Sequence, residues 1–237
     1  MRMDYDTFMM LHDKVRLDIE KQDTYQRSSI SSELRLAITL SFLATGDSYR
    51  SLEYLTRVSA STISLLVPHV CQAVYSHLQP EYMKVPCTED DWKKIADEFR
   101  NKWNFPNAIG AIDGKHIEIE APPNAGSYYF NYKGTHSIVL LALADAECNF
   151  LFIDVGCNGR MSDGGIFKNS TLYRELYEDL LNISSDEHLP NCVKPVPYVI
   201  LGDDAFALSK NLLIPFPRSK FLSAKQKVFN YRLCRAR

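Results

Sequence analysis

The chain has 237 residues, 46% apolar and 24% charged, with a formal net charge of −2. That is the composition of one large globular domain, or one medium domain with a smaller companion, and it excludes a low-complexity or collagen-like polymer. No apolar run approaches the ~18 residues of a membrane span, and the opening Met1-Arg-Met-Asp-Tyr-Asp6 is not a secretory leader, so a soluble intracellular protein is expected.

Residues 1–104 read as helical. Ser31 or Ser32 can cap a helix through Leu34, Ala37, Ile38, Leu40 and Phe42, with Gly46 ending it. A short helix is expected from about Arg50 to Thr56, then a turn at Arg57-Val-Ser59. The next helix carries Ile63, Leu66, Val67, Val70, Cys71 and Val74 on one face, and Pro68 is expected to kink it. Pro80 to Cys87 reads as a linker. Thr88 then caps a helix with Glu89, Asp90 and Asp91 in its first turn and Trp92, Ile95, Ala96, Phe99 and Trp103 inward.

From Ala108 the hydrophobic period shortens, and residues 105–237 read as an α/β domain. Ala108–Ile112 and His116–Glu120 are expected as short strands around Asp113-Gly114. Ser137–Ala144 and Phe150–Gly156 form an expected hairpin. A helix is expected from about Asn169 to Leu181, a strand over Tyr198–Leu201, and helices near Ala207 and from Ala224 onward.

Two acids follow apolar strand stretches: Asp113 in Ala108-Ile-Gly-Ala-Ile-Asp-Gly-Lys-His-Ile117, and Asp203 in Tyr198-Val-Ile-Leu-Gly-Asp-Asp-Ala-Phe206. Carboxylates at neighbouring strand ends meet on one rim, where they share a proton or bind a cation. Oxygen ligands without soft neighbours favour Mg2+ or Mn2+. A second reading fits both residues: Asp113-Gly114 as a hairpin turn, and Asp203 as the cap of a following helix. His116 either orients a phosphate or carboxylate or is a satisfied core histidine. Tyr128, Tyr129, Phe130, Tyr132, Lys133 and His136 either stack bases or pack a sheet edge. The Gly156–Gly165 loop lacks the phosphate-loop pattern.

Charge is unevenly placed. Ala205–Arg237 holds eight of the 27 Lys and Arg and no acid, leaving 19 bases against all 29 acids in residues 1–204. A basic end on an acidic body suggests one polyanion contact, with a solvated tail as the other reading. The six cysteines contain no Cys-x-x-Cys and read as reduced thiols.

Five ordered segments resemble the PIF/Harbinger transposase family and its domesticated nucleases. They are Gly110-Ala-Ile-Asp-Gly-Lys-His-Ile117, Tyr129-Phe-Asn-Tyr-Lys-Gly-Thr-His-Ser137, Asp154–Ser170, Leu201-Gly-Asp-Asp-Ala-Phe-Ala-Leu208 and Phe229–Arg237. The resemblance runs from about Leu34 to Arg237. It implies an RNase H-like mixed-sheet core over 105–237 and a DDE acidic triad. Asp113 would be the first triad acid, Asp203 the second, and Asp163 an additional metal ligand or a helix cap. The third acid of the family is a glutamate a few residues beyond the Phe229–Arg237 stretch, on which this sequence stops; a fragment, or a nuclease weakened by an incomplete triad, is expected.

The implied activity is divalent-metal-dependent hydrolysis of DNA phosphodiester bonds, with Mg2+ or Mn2+ as cofactor. Arg218, Lys220, Lys225, Lys227, Arg232, Arg235 and Arg237 would grip the backbone. The alternative is a domesticated, non-catalytic DNA- or protein-binding module. A separate DNA-binding partner protein and residence in the nucleus, with some cytoplasmic protein, are implied by resemblance only. The relatives also carry a helix-turn-helix, here with Ser59–Ser76 in the recognition position. Its outward residues Thr62, Ser64, Leu65, His69 and Gln72 include no base, and none occurs from Ala60 to Met83. A helix-turn-helix in shape, serving as a packing or partner surface, is therefore expected.

Overall fold

The structure is a computed structural model that describes residues 3–25, 28–189, 192–217 and 221–237. The chain divides into two compact units, Met1–Tyr82 and Met83–Arg237.

Among its described residues the first unit holds four helices: α1 (Tyr5–Ile19), α2 (Ser32–Thr45), α3 (Tyr49–Thr56) and α4 (Ala60–Tyr82). α1 goes unread in the pattern above, although Phe8, Leu11, Val15 and Ile19 recur at helical spacing and are all buried. Asp4 starts it by accepting the Thr7 N–H at 2.8 Å. Ser31 caps α2 and Gly46 closes it in the left-handed conformation, φ 70°. α3 and α4 meet at 103° across Arg57-Val-Ser59, a helix-turn-helix angle. Pro68 and Pro80 both lie inside α4, so the expected linker from Pro80 starts only after Tyr82. Leu36, Leu52, Ile63 and Val70 form the centre of this unit's core. Among the described residues no single helix is long and apolar enough to cross a membrane.

The second unit begins with α5 (Glu89–Trp103). The sequence reading groups this helix with the helical region, but its packing joins it to the sheet. Trp92, Ile95 and Phe99 are buried against β1 (Ala108–Glu118), and Trp92 Nε1 donates to the Leu181 carbonyl at 2.7 Å. Then follow β2 (Ser137–Ala144), β3 (Phe150–Asn158), α6 (Asp163–Asn169) and α7 (Thr171–Tyr177). The chain continues through β4 (Glu187–His188), β5 (Pro195–Val196), β6 (Val199–Leu201) and β7 (Leu212–Leu213) to α8 (Ala224–Ala236).

The main sheet has the order β3-β2-β1-β6-β7. β1, β2 and β3 form an antiparallel meander, whereas β6 and β7 run parallel to β1. This mixed five-stranded sheet with helices packed on it is the RNase H-like α/β core. β2 alternates buried and half-buried residues along its whole length, as a strand covered unequally on its two faces does.

Three local expectations are corrected. Asp113-Gly114 is no hairpin turn: β1 runs unbroken through it, because β2 pairs continuously from Ala111↔Ala144 to Glu118↔Ser137. The helix expected over Asn169–Leu181 is shorter, α7 alone, and it is preceded by α6, an unexpected helix that Ser170 ends before capping α7. No helix starts near Ala207; that stretch turns into β7, which extends the sheet beside β6.

Candidate active site

The site forms where β1 and β6 run side by side. Ala111 pairs with Leu201, so Asp113 and Asp203, each two residues further on, come to the same rim, where both charges act on Asp163. Asp113 points outward from a strand whose preceding residue, Ile112, is fully buried. Its Oδ1 accepts the Gly114 N–H at 2.9 Å. Beyond Leu201 the chain leaves the strand, and Asp203 Oδ1 accepts the Ala205 N–H at 2.9 Å, forming an Asx turn rather than a helix cap. Its other oxygen, Oδ2, receives Arg237 Nη1 at 3.2 Å in a pair about 27–28% exposed.

Asp163 comes from a third element. Ser162 caps α6 by accepting the Gly165 N–H, which leaves Asp163 in the first turn without the capping role. Its carboxylate presses against β1 at Gly114, where an added Cβ would stand 2.1 Å from Oδ1. Gly164 makes the same kind of approach on the other side: a Cβ there would be 2.5 Å from the Ala205 carbonyl oxygen. The glycines of Asp-Gly and Asp-Gly-Gly thus let three chain segments close around three acids. They do not form a phosphate cradle.

The electrostatics follow from this closure. Asp163 Oδ1 is buried and has no hydrogen-bond partner. Burial, then the charges of Asp203 and Asp113, raise its pKa above the ordinary carboxylate value, while His116 opposes the rise. His116 is held by a 2.9 Å hydrogen bond between Nδ1 and the Ser137 hydroxyl, and its ring sits edge-on to Tyr132 at 5.4 Å. It is therefore a satisfied, half-buried histidine that also faces the carboxylates.

These residues fit a divalent cation in kind: three oxygen donors, one with an unsatisfied buried oxygen, under mutual repulsion that a cation relieves. Among the described residues no three His, Cys, Asp or Glu side chains already close into a metal cage. Arg237 supplies the positive charge at Asp203 instead.

The basic residues do not share one face. Arg218 and Lys220 lie outside the described residues. Arg237 is at the carboxylates, and Lys227 and Arg235 are exposed, the latter over the Tyr231 ring at 5.9 Å. Lys225 and Arg232 border an apolar cavity along another stripe of α8. Of the aromatic cluster, Tyr128, Phe130 and Tyr132 are exposed, and Phe130 also bridges to His136 at the sheet margin. Gly114, Gly164 and Ser137 were missed as site residues. The glycine after each acid was the available signal for two of them; nothing local marked Ser137.

Curated proteins similar to this chain include "Putative nuclease HARBI1" of Homo sapiens, 24% identical over 81% of this chain and 51% of that protein. The Rattus norvegicus protein of the same name matches equally, at 24% over the same shares. "Protein ALP1-like" of Arabidopsis thaliana is 27% identical over 84% of this chain and 48% of that protein. The chain thus spans about half the length of these relatives. No solved structure matches. The family model described as DDE superfamily endonuclease matches residues 112–237, from β1 through all three aspartates to α8. With the Harbinger resemblance and these relatives agreeing, the chain belongs to the DDE superfamily endonucleases.

Proposed function

We propose that the chain is a divalent-metal-dependent DNA endonuclease in which Asp113, Asp163 and Asp203 hold Mg2+ or Mn2+. The observation that carries this reading is the buried, unpartnered Oδ1 of Asp163, a carboxylate that feels the charges of Asp203 and Asp113. Three acids crowded on one rim repel unless a cation joins them. A divalent ion bound there would supply charge neutralisation at the scissile phosphate and acidify an attacking water.

The chain's own residues have separate tasks in this scheme. Asp113, fixed by the rigid centre of the sheet, and Asp203, fixed by its Asx turn, orient donors from two adjacent strands. Asp163 brings the third oxygen from the helical side, and Gly114 leaves room for it. His116, anchored on Ser137, moderates the negative charge and keeps Asp163 ionisable. Arg237, displaced from Asp203, is placed to contact a phosphate oxygen of the substrate. Lys227 and Arg235 contact the flanking backbone. Acting on chromosomal DNA would place the protein in the nucleus.

The test is nicking of supercoiled plasmid in Mg2+, Mn2+ or chelator. Metal-dependent nicking lost in Asp113→Asn supports the reading, and nicking indifferent to both metal and Asp113 overturns it.

One observation favours a second reading, a non-catalytic DNA- or protein-binding module. The Arg237–Asp203 pair already satisfies one acid, and a site held this way needs no metal. Mg2+-independent DNA binding without nicking would select it.

A further inference from the structure

Away from the carboxylates, α8 forms one wall of an apolar cavity of about 700 Å³. The helix shows it Lys225, Val228, Phe229 and Arg232 at i, i+3, i+4 and i+7, with Phe229 partly packed against Phe105 and Phe216 and Val228 open. Val199 and Leu213, from β6 and β7, contribute to the opposite wall. Val228 remains 51% exposed, although it sits between two residues that line the same space. The stripe ends in a cation at each side, two helical turns apart, or about 10 Å along the axis. Neither Lys225 nor Arg232 forms an ion pair with a described residue, whereas Lys210, also at the cavity, is paired with Asp186 at 3.3 Å.

The position separates this surface from the acid site. Lys225 lies roughly 18 Å along α8 from Arg237 and Arg232 about 8 Å, by helix rise alone. An apolar trough also suits a DNA backbone poorly, since phosphates gain nothing from Val228 or Phe229. Its occupant needs apolar side chains in the middle and an anion at each end.

We infer that this cavity is the docking site for an amphipathic helix of a partner protein, carrying acids at i and i+7 around apolar residues at i+3 and i+4. Apolar burial along Val228 and Phe229 supplies the affinity, and the two cations fix register and select acidic partners. The inference is independent of whether the aspartates bind metal.

The probe is a labelled, stapled helical peptide with Glu at i and i+7 and Leu at i+3 and i+4, with a second peptide carrying Lys in place of Glu. Fluorescence anisotropy is read with the full 237-residue chain and with Lys225→Glu/Arg232→Glu. Both substituted residues are exposed, and an unchanged Tm checks that the variant folds. The wild type should bind the Glu peptide, and the variant should lose about tenfold or more in affinity while gaining the Lys peptide. No binding of the Glu peptide, equal binding of both peptides, or binding insensitive to the double substitution overturns the inference. Displacement of the peptide by duplex DNA, with DNA binding lost in the same variant, would also overturn it and assign the cations to nucleic acid.

Discussion

Gly114 and Asp163 are in contact across two elements: the Asp163 carboxylate occupies the space that a Cβ on residue 114 would take, 2.1 Å from Oδ1. The glycine is therefore part of the acid site without bearing any functional group. Gly114→Ala should displace Asp163 and cost about 1–3 kcal/mol, the usual range for overpacking. Adding Asp163→Ala should recover most of that stability, because the clash is with the side chain. Chemical denaturation of the two variants checks both statements. If the double variant is as destabilised as the sum of the singles, the two residues do not share that space.

Asp163 also makes stability depend on pH. Its folded pKa lies above the unfolded value, chiefly through burial and then through Asp203 and Asp113. The neutral form is thus favoured by folding. That contribution is complete below the unfolded pKa and is lost as pH rises through the folded one. Asp163→Asn should accordingly raise Tm at neutral pH without metal, and the gain should shrink toward acid pH. A gain that is constant from acid to neutral pH would count against the repulsion.

Arg237 and a divalent cation compete for Asp203 in this account. A partly exposed ion pair is worth about 0–1 kcal/mol, so Arg237→Ala should tighten metal binding by at most about fivefold. It should at the same time weaken DNA binding and flatten its salt dependence by about one unit of slope. Metal affinity reduced by Arg237→Ala would show instead that the arginine supports the metal-binding geometry.

The anchoring of α5 offers a structural control away from the site. Trp92 is fully buried and donates to the Leu181 carbonyl. Trp92→Phe removes that donor and leaves a buried carbonyl without this partner, at a cost of about 1–3 kcal/mol before packing losses. Urea denaturation should show the loss, while the metal response of the site stays as in the wild type.

The legible parts of this chain were those that local chemistry dictates. Ser31 and Thr88 are side-chain caps, and the Ile63–Val70 face gives a helical period that packing then preserves. Asp113 and Asp203 were visible because acids beside apolar strands are unusual. What stayed hidden depends on non-local partners. Asp113-Gly114 has the composition of a turn, yet continuous pairing with β2 keeps it in a strand. Residues near Ala207 favour helix, but the β6 edge recruits Leu212 and Leu213 into the sheet. α5 has the pattern of the preceding helices, and only Trp92, Ile95 and Phe99 meeting β1 decide where it belongs. Asp163 could be read as a cap until Ser162 took that role and left its carboxylate packed at Gly114, under the charges of the other two.

The most direct test is isothermal titration of the full chain with Mn2+, repeated on Asp113→Asn and Asp163→Asn at unchanged fold. The three-aspartate centre predicts saturable binding in the wild type that either substitution weakens by tenfold or more. No saturable Mn2+ binding, or binding that both variants retain, would contradict it.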